Sequence, residues 1–282
     1  NTTILQVGLI TRWGYPVEKY DVITQDGYIL DLIRIPRGRN DNRNGSRPVI
    51  LLVHGLLASG TQWLLNPPDQ SAGFIYADAG LDVFIANMRG TTYGRRHIKR
   101  GIGKIPHWQG RSFEEMARYD LPAVIDTTLA ITGEHQLYYV GDSQGTLVAF
   151  LLLADRPLYN GKIRALFLRS PIATGRYIKG LQALILTYSV FWPVTDAWRL
   201  LMGSQEIFSH NKWLENMIVA TGTALCSLSI KEGCYDFLYL FAGPPDFKHF
   251  NTSRIEVCLN NFPAGTSTRN ILHWGQVVIS ES

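Results

Sequence analysis

A chain of 282 residues, 46% hydrophobic and 18% charged, has the apolar mass for one large core or a core with an insertion, which excludes a globally disordered polymer. Its net charge of +4 is too mild to specify a polyanionic partner. The densest basic run, Arg95-Arg96-His97-Ile98-Lys99-Arg100, has no interleaved aromatic platform, so a solvated loop is expected there and no nucleic-acid partner.

Along the chain, Lys19–Thr24 and Tyr28–Ile35 flank Gln25-Asp26-Gly27 and predict a β-hairpin. Arg37–Pro48, rich in Asn, Arg and Gly, predicts a surface loop. Val49-Ile50-Leu51-Leu52-Val53 is a continuous apolar run of strand length, the pattern of a parallel strand buried on both faces. A second such run covers Leu81–Ala86. Ser112-Phe113-Glu114-Glu115 reads as a capping box that opens a helix. Asp120 is expected to cap a second segment, with Pro122 in its first turn and Gly133 at its end. Leu137–Val140 is a β-prone stretch, Thr146–Ala154 a buried helix, and Leu166–Leu168 a further strand. Alternating strands and helices predict an α/β fold with a mainly parallel sheet and flanking helices. From about Gly175 the character changes, and residues 181–202 are strongly apolar. Pro193, Asp196 and Arg199 interrupt that stretch, so a helical cap is expected there and not a transmembrane segment.

The most informative feature is Gly141-Asp142-Ser143-Gln144-Gly145. It fits G-x-S-x-G between a predicted strand and a predicted helix, the setting of a nucleophile elbow in the α/β-hydrolase fold. Ser143 is the candidate nucleophile. A serine is weak alone and needs a base, a carboxylate to orient that base, and donors for the oxyanion. The backbone N–H of Gln144 is one candidate donor. The loop His54-Gly55-Leu56-Leu57-Ala58-Ser59 supplies the other, the Leu56 N–H. Removing one such donor typically costs ~2.7–4 kcal/mol of barrier. His54 precedes the serine, against the usual order Ser, Asp/Glu, His, so it is expected to be structural. After Ser143 only His210, His249 and His273 remain. Asp246 with His249 lies in a polar loop after Gly243-Pro244-Pro245, and no convincing acid–base pair follows the elbow.

The cysteines Cys226, Cys234 and Cys258 have neither CxxC nor zinc-type spacing, and no metal or organic cofactor is implied. Cys226 and Cys234 either close a small loop or join Cys258 as buried thiols. Sequons at Asn1, Asn44 and Asn251 are candidate glycosylation sites and lean towards the secretory route. The first residues carry no basic-then-apolar leader, as expected where a signal has been removed or was not included.

Several ordered motifs together resemble the eukaryotic acid lipase family, which includes gastric and lysosomal acid lipases. The carriers are Trp13-Gly14-Tyr15-Pro16, Asp26-Gly27-Tyr28, His54–Ser59, Arg89-Gly90-Thr91, Arg118–Ala123, Val140–Thr146, Phe250–Arg254, Pro263–Ser267 and His273-Trp274. The resemblance implies Ser143 as nucleophile, Leu56 and Gln144 as oxyanion donors, and Cys226 with Cys234 as a cap disulfide. It further implies a hydrolase core over residues 1–174 and a cap and lid over 175–282, both partial. Triacylglycerols or cholesteryl esters at a lipid–water interface would be the substrates, and the location secreted or lysosomal. Family members usually have His where this chain has Asp142. They also continue past the His-Trp motif, so an incomplete chain is expected, with the triad's acid and base absent from it. The alternative is a lipid-binding pseudoenzyme that lacks the triad Asp and His.

Overall fold

The computed structural model describes residues 3–43, 45–99, 112–178, 206–207, 217, 220–221, 224 and 251–280. The chain divides into two compact units, 1–173 and 174–282.

In the first unit, β1 (Glu18–Ile23) and β2 (Tyr28–Ile35) form the expected antiparallel hairpin, with Glu18 opposite Arg34 and Ile23 opposite Ile29. β3 (Val49–Val53) is buried at every residue. It lies between two parallel neighbours, β4 (Asp82–Ala86) and β6 (Leu137–Asp142), which is why its sequence shows no polar alternation. β7 (Ile163–Arg169) extends the parallel row beyond β6. The order is β1-β2-β4-β3-β6-β7, with the two-residue β5 (Arg96–His97) paired to β2. Four parallel strands thus continue into an antiparallel hairpin, a mixed α/β sheet.

The basic run at 95–100, expected as a solvated loop, instead supplies β5. The carboxylates of the hairpin draw it in: Arg96 donates to both oxygens of Asp21 (2.7 and 2.5 Å) and to the buried Asp31 (2.7 Å).

The helices of this unit are α1 (Thr3–Arg12), α2 (Ala72–Asp78), α3 (Phe113–Glu115), α4 (Leu121–Thr132) and α5 (Gln144–Asp155). Ser112 and Glu115 close the capping box, with the Ser112 N–H donating to Glu115 Oε2 at 2.8 Å. Asp120 does not cap α4. A π-helical turn, Met116–Asp120, runs from α3 into α4 without a break, and the Asp120 carboxylate is spent on Arg89. Gly133 ends α4 in the left-handed region at φ 72, as a C-terminal glycine does. Ile10, Ile33, Ile50, Leu52, Phe74 and Ile85 belong to one buried cluster that joins α1 and α2 to the sheet. Each such side chain contributes about 1.5–3 kcal/mol when fully buried.

In the second unit, β8 (Glu206–Ile207) pairs antiparallel with β9 (Thr266–Ser267). The helices α6 (Ile255–Leu259) and α7 (Thr268–Ser280) lie before and after β9 in the chain. Ser267 caps α7 by accepting the Asn270 N–H at 3.0 Å, and Trp274 is buried on that helix. Among the described residues no helix is long and apolar enough to cross a membrane. The apolar stretch 181–202 lies outside the described residues.

Candidate active site

Ser143 stands between β6 and α5 with φ 49 and ψ −114, a backbone conformation that a non-glycine residue adopts only under constraint. Such a residue costs about 1–3 kcal/mol and persists because its surroundings hold it. Here the Ser143 N–H donates to the Arg169 carbonyl (2.9 Å). Its own carbonyl accepts from the Thr146 N–H (2.8 Å) and the Thr146 hydroxyl (2.6 Å). Thr146 Oγ1 in turn accepts the Ile172 N–H at 2.9 Å. Gly145 is needed for close approach, since a Cβ there would lie 2.7 Å from the Val53 carbonyl oxygen. Tyr139 locks the same glycine from below, its hydroxyl donating to the Gly145 carbonyl at 2.6 Å.

The 54–59 loop leaves the end of β3 and presses on the elbow. A Cβ on Gly55 would be 3.2 Å from Ser143 Cβ, so a larger residue at position 55 would push against the serine. Leu57 is also at positive φ (60), which turns the loop sharply after Leu56. The Leu56 N–H meets no acceptor among the described residues. Gln144 is the first residue of α5, where helix N–H groups have no acceptor within the helix and carry the positive end of its dipole. Gly55 thus meets Ser143 from the β3 loop, with Leu56 the next residue along it, and Gln144 follows Ser143 at the start of α5.

His54 is buried, and both ring nitrogens face backbone. Nδ1 lies 2.9 Å from the Gly55 carbonyl, and Nε2 accepts the Met88 N–H at 3.1 Å. Nδ1 therefore carries the proton. Burial pushes its pKa down to about 4. A ring held in this way has no nitrogen left to take a proton from a serine, so His54 is structural, as its place before Ser143 suggests.

The loop is fixed from behind by a polar cluster. Asn87 Oδ1 accepts the Gly60 N–H (2.9 Å), and its amide nitrogen donates to Gln6 Oε1 (3.0 Å) and to the Asp31 carbonyl (3.0 Å). Gln6 on α1 donates back to Asn87 Oδ1 (3.0 Å) and to Thr61 Oγ1 (3.2 Å). Farther off, Arg89 has no exposed side-chain surface. It is held by Asp26 (2.6 and 2.8 Å) and Asp120 (2.8 Å from Nε), beneath the Tyr28 ring. This cluster accounts for the Asp-Gly-Tyr, Arg-Gly-Thr and Tyr-Asp-Leu motifs, which the sequence shows as three unrelated segments.

Two residues beside the elbow were not among those expected. Arg169 Nε donates to Asp142 Oδ1 at 3.0 Å, and Gln62 Nε2 donates to Asp142 Oδ2 at 3.3 Å. The signal for Arg169 is faint but present: an acid ends β6, a base ends β7, and the register sets them side by side. For Gln62 the sequence offers nothing. Cys226, Cys234, Asn1, Asn44, Asp246, His210 and His249 lie outside the described residues. Asn251 is described, and its Oδ1 accepts from the backbone N–H (3.2 Å) and hydroxyl (2.7 Å) of Ser253. Cys258 is a free thiol, partly buried. Among the described residues no His, Cys, Asp or Glu cluster would hold a metal ion. A hollow of about 590 Å³ between the 38–43 loop and Asp78 sits where the chain enters β3 and β4, the end of the strands away from Ser143.

Residues 7–67 match a partial α/β-hydrolase lipase region, and residues 48–199 match the α/β-hydrolase fold. Rat gastric triacylglycerol lipase is 40% identical over 274 residues, which are 96% of this chain and 67% of the relative. The chain belongs to the gastric-lipase family of α/β-hydrolases. Human gastric triacylglycerol lipase is 42% identical, over 96% of this chain and 66% of its own length. Lipase lipl-1 of Caenorhabditis elegans is 40% identical with the same coverage. This gastric-lipase family member therefore spans about two thirds of the length of the curated relatives it matches.

Proposed function

We propose that this chain carries the nucleophile and oxyanion hole of a serine carboxylic-ester hydrolase acting on triacylglycerols or cholesteryl esters. The observation that carries it is Ser143 at φ 49, fixed between β6 and α5 with Gly55 against it. Ser143 Oγ attacks the ester carbonyl carbon as its proton passes to a base. The negative charge that develops on the carbonyl oxygen falls to the N–H groups of Leu56 and Gln144. Collapse of the tetrahedral intermediate expels the alcohol with a proton returned by the base, and water then cleaves the acyl-enzyme by the same route. The base and its carboxylate are assigned to none of these 282 residues.

Residues 175–282 are assigned to the cap and lid, with Cys226 and Cys234 as a cap disulfide. Their grouping as a compact unit of their own supports the division. A lipid–water interface is the proposed working surface, and a secreted or lysosomal location follows from the relatives' gastric names and the three sequons, proposed as glycosylated.

The test is covalent labelling with a fluorophosphonate and turnover of an emulsified triacylglycerol by the full-length protein. Ser143→Ala is expected to abolish both, a loss of about 10³-fold or more in kcat. Turnover that survives this substitution would remove Ser143 from the reaction. Lipid binding with no labelling of the wild type would instead make the protein a lipid-binding pseudoenzyme.

A further inference from the structure

Asp142 places a carboxylate next to the proposed oxyanion hole. Its side chain is only 15% exposed, and its Oδ2 would lie 3.4 Å from a Cβ placed on Gly55. A bare carboxylate at that place would oppose the negative charge that builds up beside it. Each of its oxygens is engaged. Arg169 takes Oδ1 at 3.0 Å, and its guanidinium is 5.7 Å from the centre of the Trp63 ring. Gln62, next to Trp63 on the Gly60–Trp63 turn, donates to Oδ2 at 3.3 Å. The other end of the same Gln62 amide accepts the Gly55 N–H at 3.3 Å. One planar group thus links the last residue of β6 to the His54–Gly55 peptide, one step before the Leu56 N–H. The turn that bears Gln62 is itself pinned by Gln6 and Asn87.

We propose that Gln62, Asp142 and Arg169 form a charge-neutral brace that holds the His54–Gly55 peptide, and so positions the loop backbone leading to the Leu56 N–H, and cancels the carboxylate's field at the reacting carbonyl. These are positioning residues, since they act through the Gly55 backbone and the local charge and not on the reacting atoms. The proposal rests on the ester-hydrolase assignment of Ser143. It makes a demand that a merely structural role does not: the charge on Asp142 should harm the reaction once Arg169 is gone, and removing that charge should repair it.

The experiment measures kcat and KM of the full-length protein on a soluble short-chain ester for Gln62→Leu, Arg169→Gln and the double variant Arg169→Gln/Asp142→Asn. Gln62→Leu is expected to lower kcat about 10-fold or more with KM nearly unchanged, because the loop backbone that leads to the Leu56 N–H loses its anchor at Gly55. Arg169→Gln is expected to lower kcat about 10-fold, and adding Asp142→Asn to recover most of that loss. If Gln62→Leu does not fold, the arginine single and double variants decide the matter alone. Kcat within about twofold of wild type for Arg169→Gln, or a double variant as slow as the single one, overturns the brace. A wild type silent towards every ester, with no fluorophosphonate labelling, overturns the hydrolase assignment and the brace with it.

Discussion

Two arginine–aspartate sites in the first unit look alike in sequence and differ in consequence. Arg89 is fully buried between Asp26 and Asp120, under the Tyr28 ring, one guanidinium shared by two carboxylates. Arg169 leaves 69% of its side chain in solvent and holds Asp142 at the mouth of the elbow. The first ties three segments of chain to one another. The second sits at the C-terminal end of the parallel strands, where the strained Ser143 and the 54–59 loop converge. Burial decides how much stability an ion pair controls, and position relative to the strand ends decides whether it bears on chemistry.

The contrast can be broken most forcefully at Arg89. Arg89→Leu strands Asp120 in a site with no exposure and should destabilise the protein by about 3–5 kcal/mol, read as a shift of the urea midpoint. A loss below about 1 kcal/mol would show that the cluster adds nothing beyond its volume.

His54 should give the next largest effect, through pH. Its folded pKa is depressed to about 4 from 6.5, so between those values the unfolded chain binds more protons than the folded one. Its contribution is whole above pH 6.5 and is lost as the pH falls towards 4, on the order of 3 kcal/mol in all. Unfolding free energies measured at pH 7, 5.5 and 4 should fall in that order. His54→Gln should flatten the slope.

Arg169→Gln should be the mildest for folding. With most of its side chain in water, its ion pair contributes under about 1 kcal/mol, so the melting midpoint should move little while kcat drops. A large loss of stability together with a small loss of rate would merge the two arginine sites into one class.

Much of this molecule is written locally. The VILLV run, the capping box at Ser112, the glycine after α4 and the strand–GDSQG–helix succession each depend on neighbours within a few residues. Their outcome in β3, α3, α4 and the elbow was legible for that reason. Asp120 misled because an Asp ahead of a proline-containing helix is a good local cap, and only tertiary structure supplies the buried guanidinium that outcompetes the backbone for it. The basic run at 95–100 misled in the same way, since the carboxylates that draw Arg96 into the sheet are 65 and 75 residues away.

The sequence by itself determined the α/β class, the place of the serine and the glycines that let backbone pack around it, because these follow from periodicity and from what a residue without Cβ permits. Tertiary structure alone decided that His54 is spent on the Gly55 carbonyl and the Met88 N–H, and that Gln62 spans from Asp142 to Gly55. Those bonds join strands, turns and loops that are neighbours only across the sheet, and side-chain geometry at such distances is set by the fold as a whole.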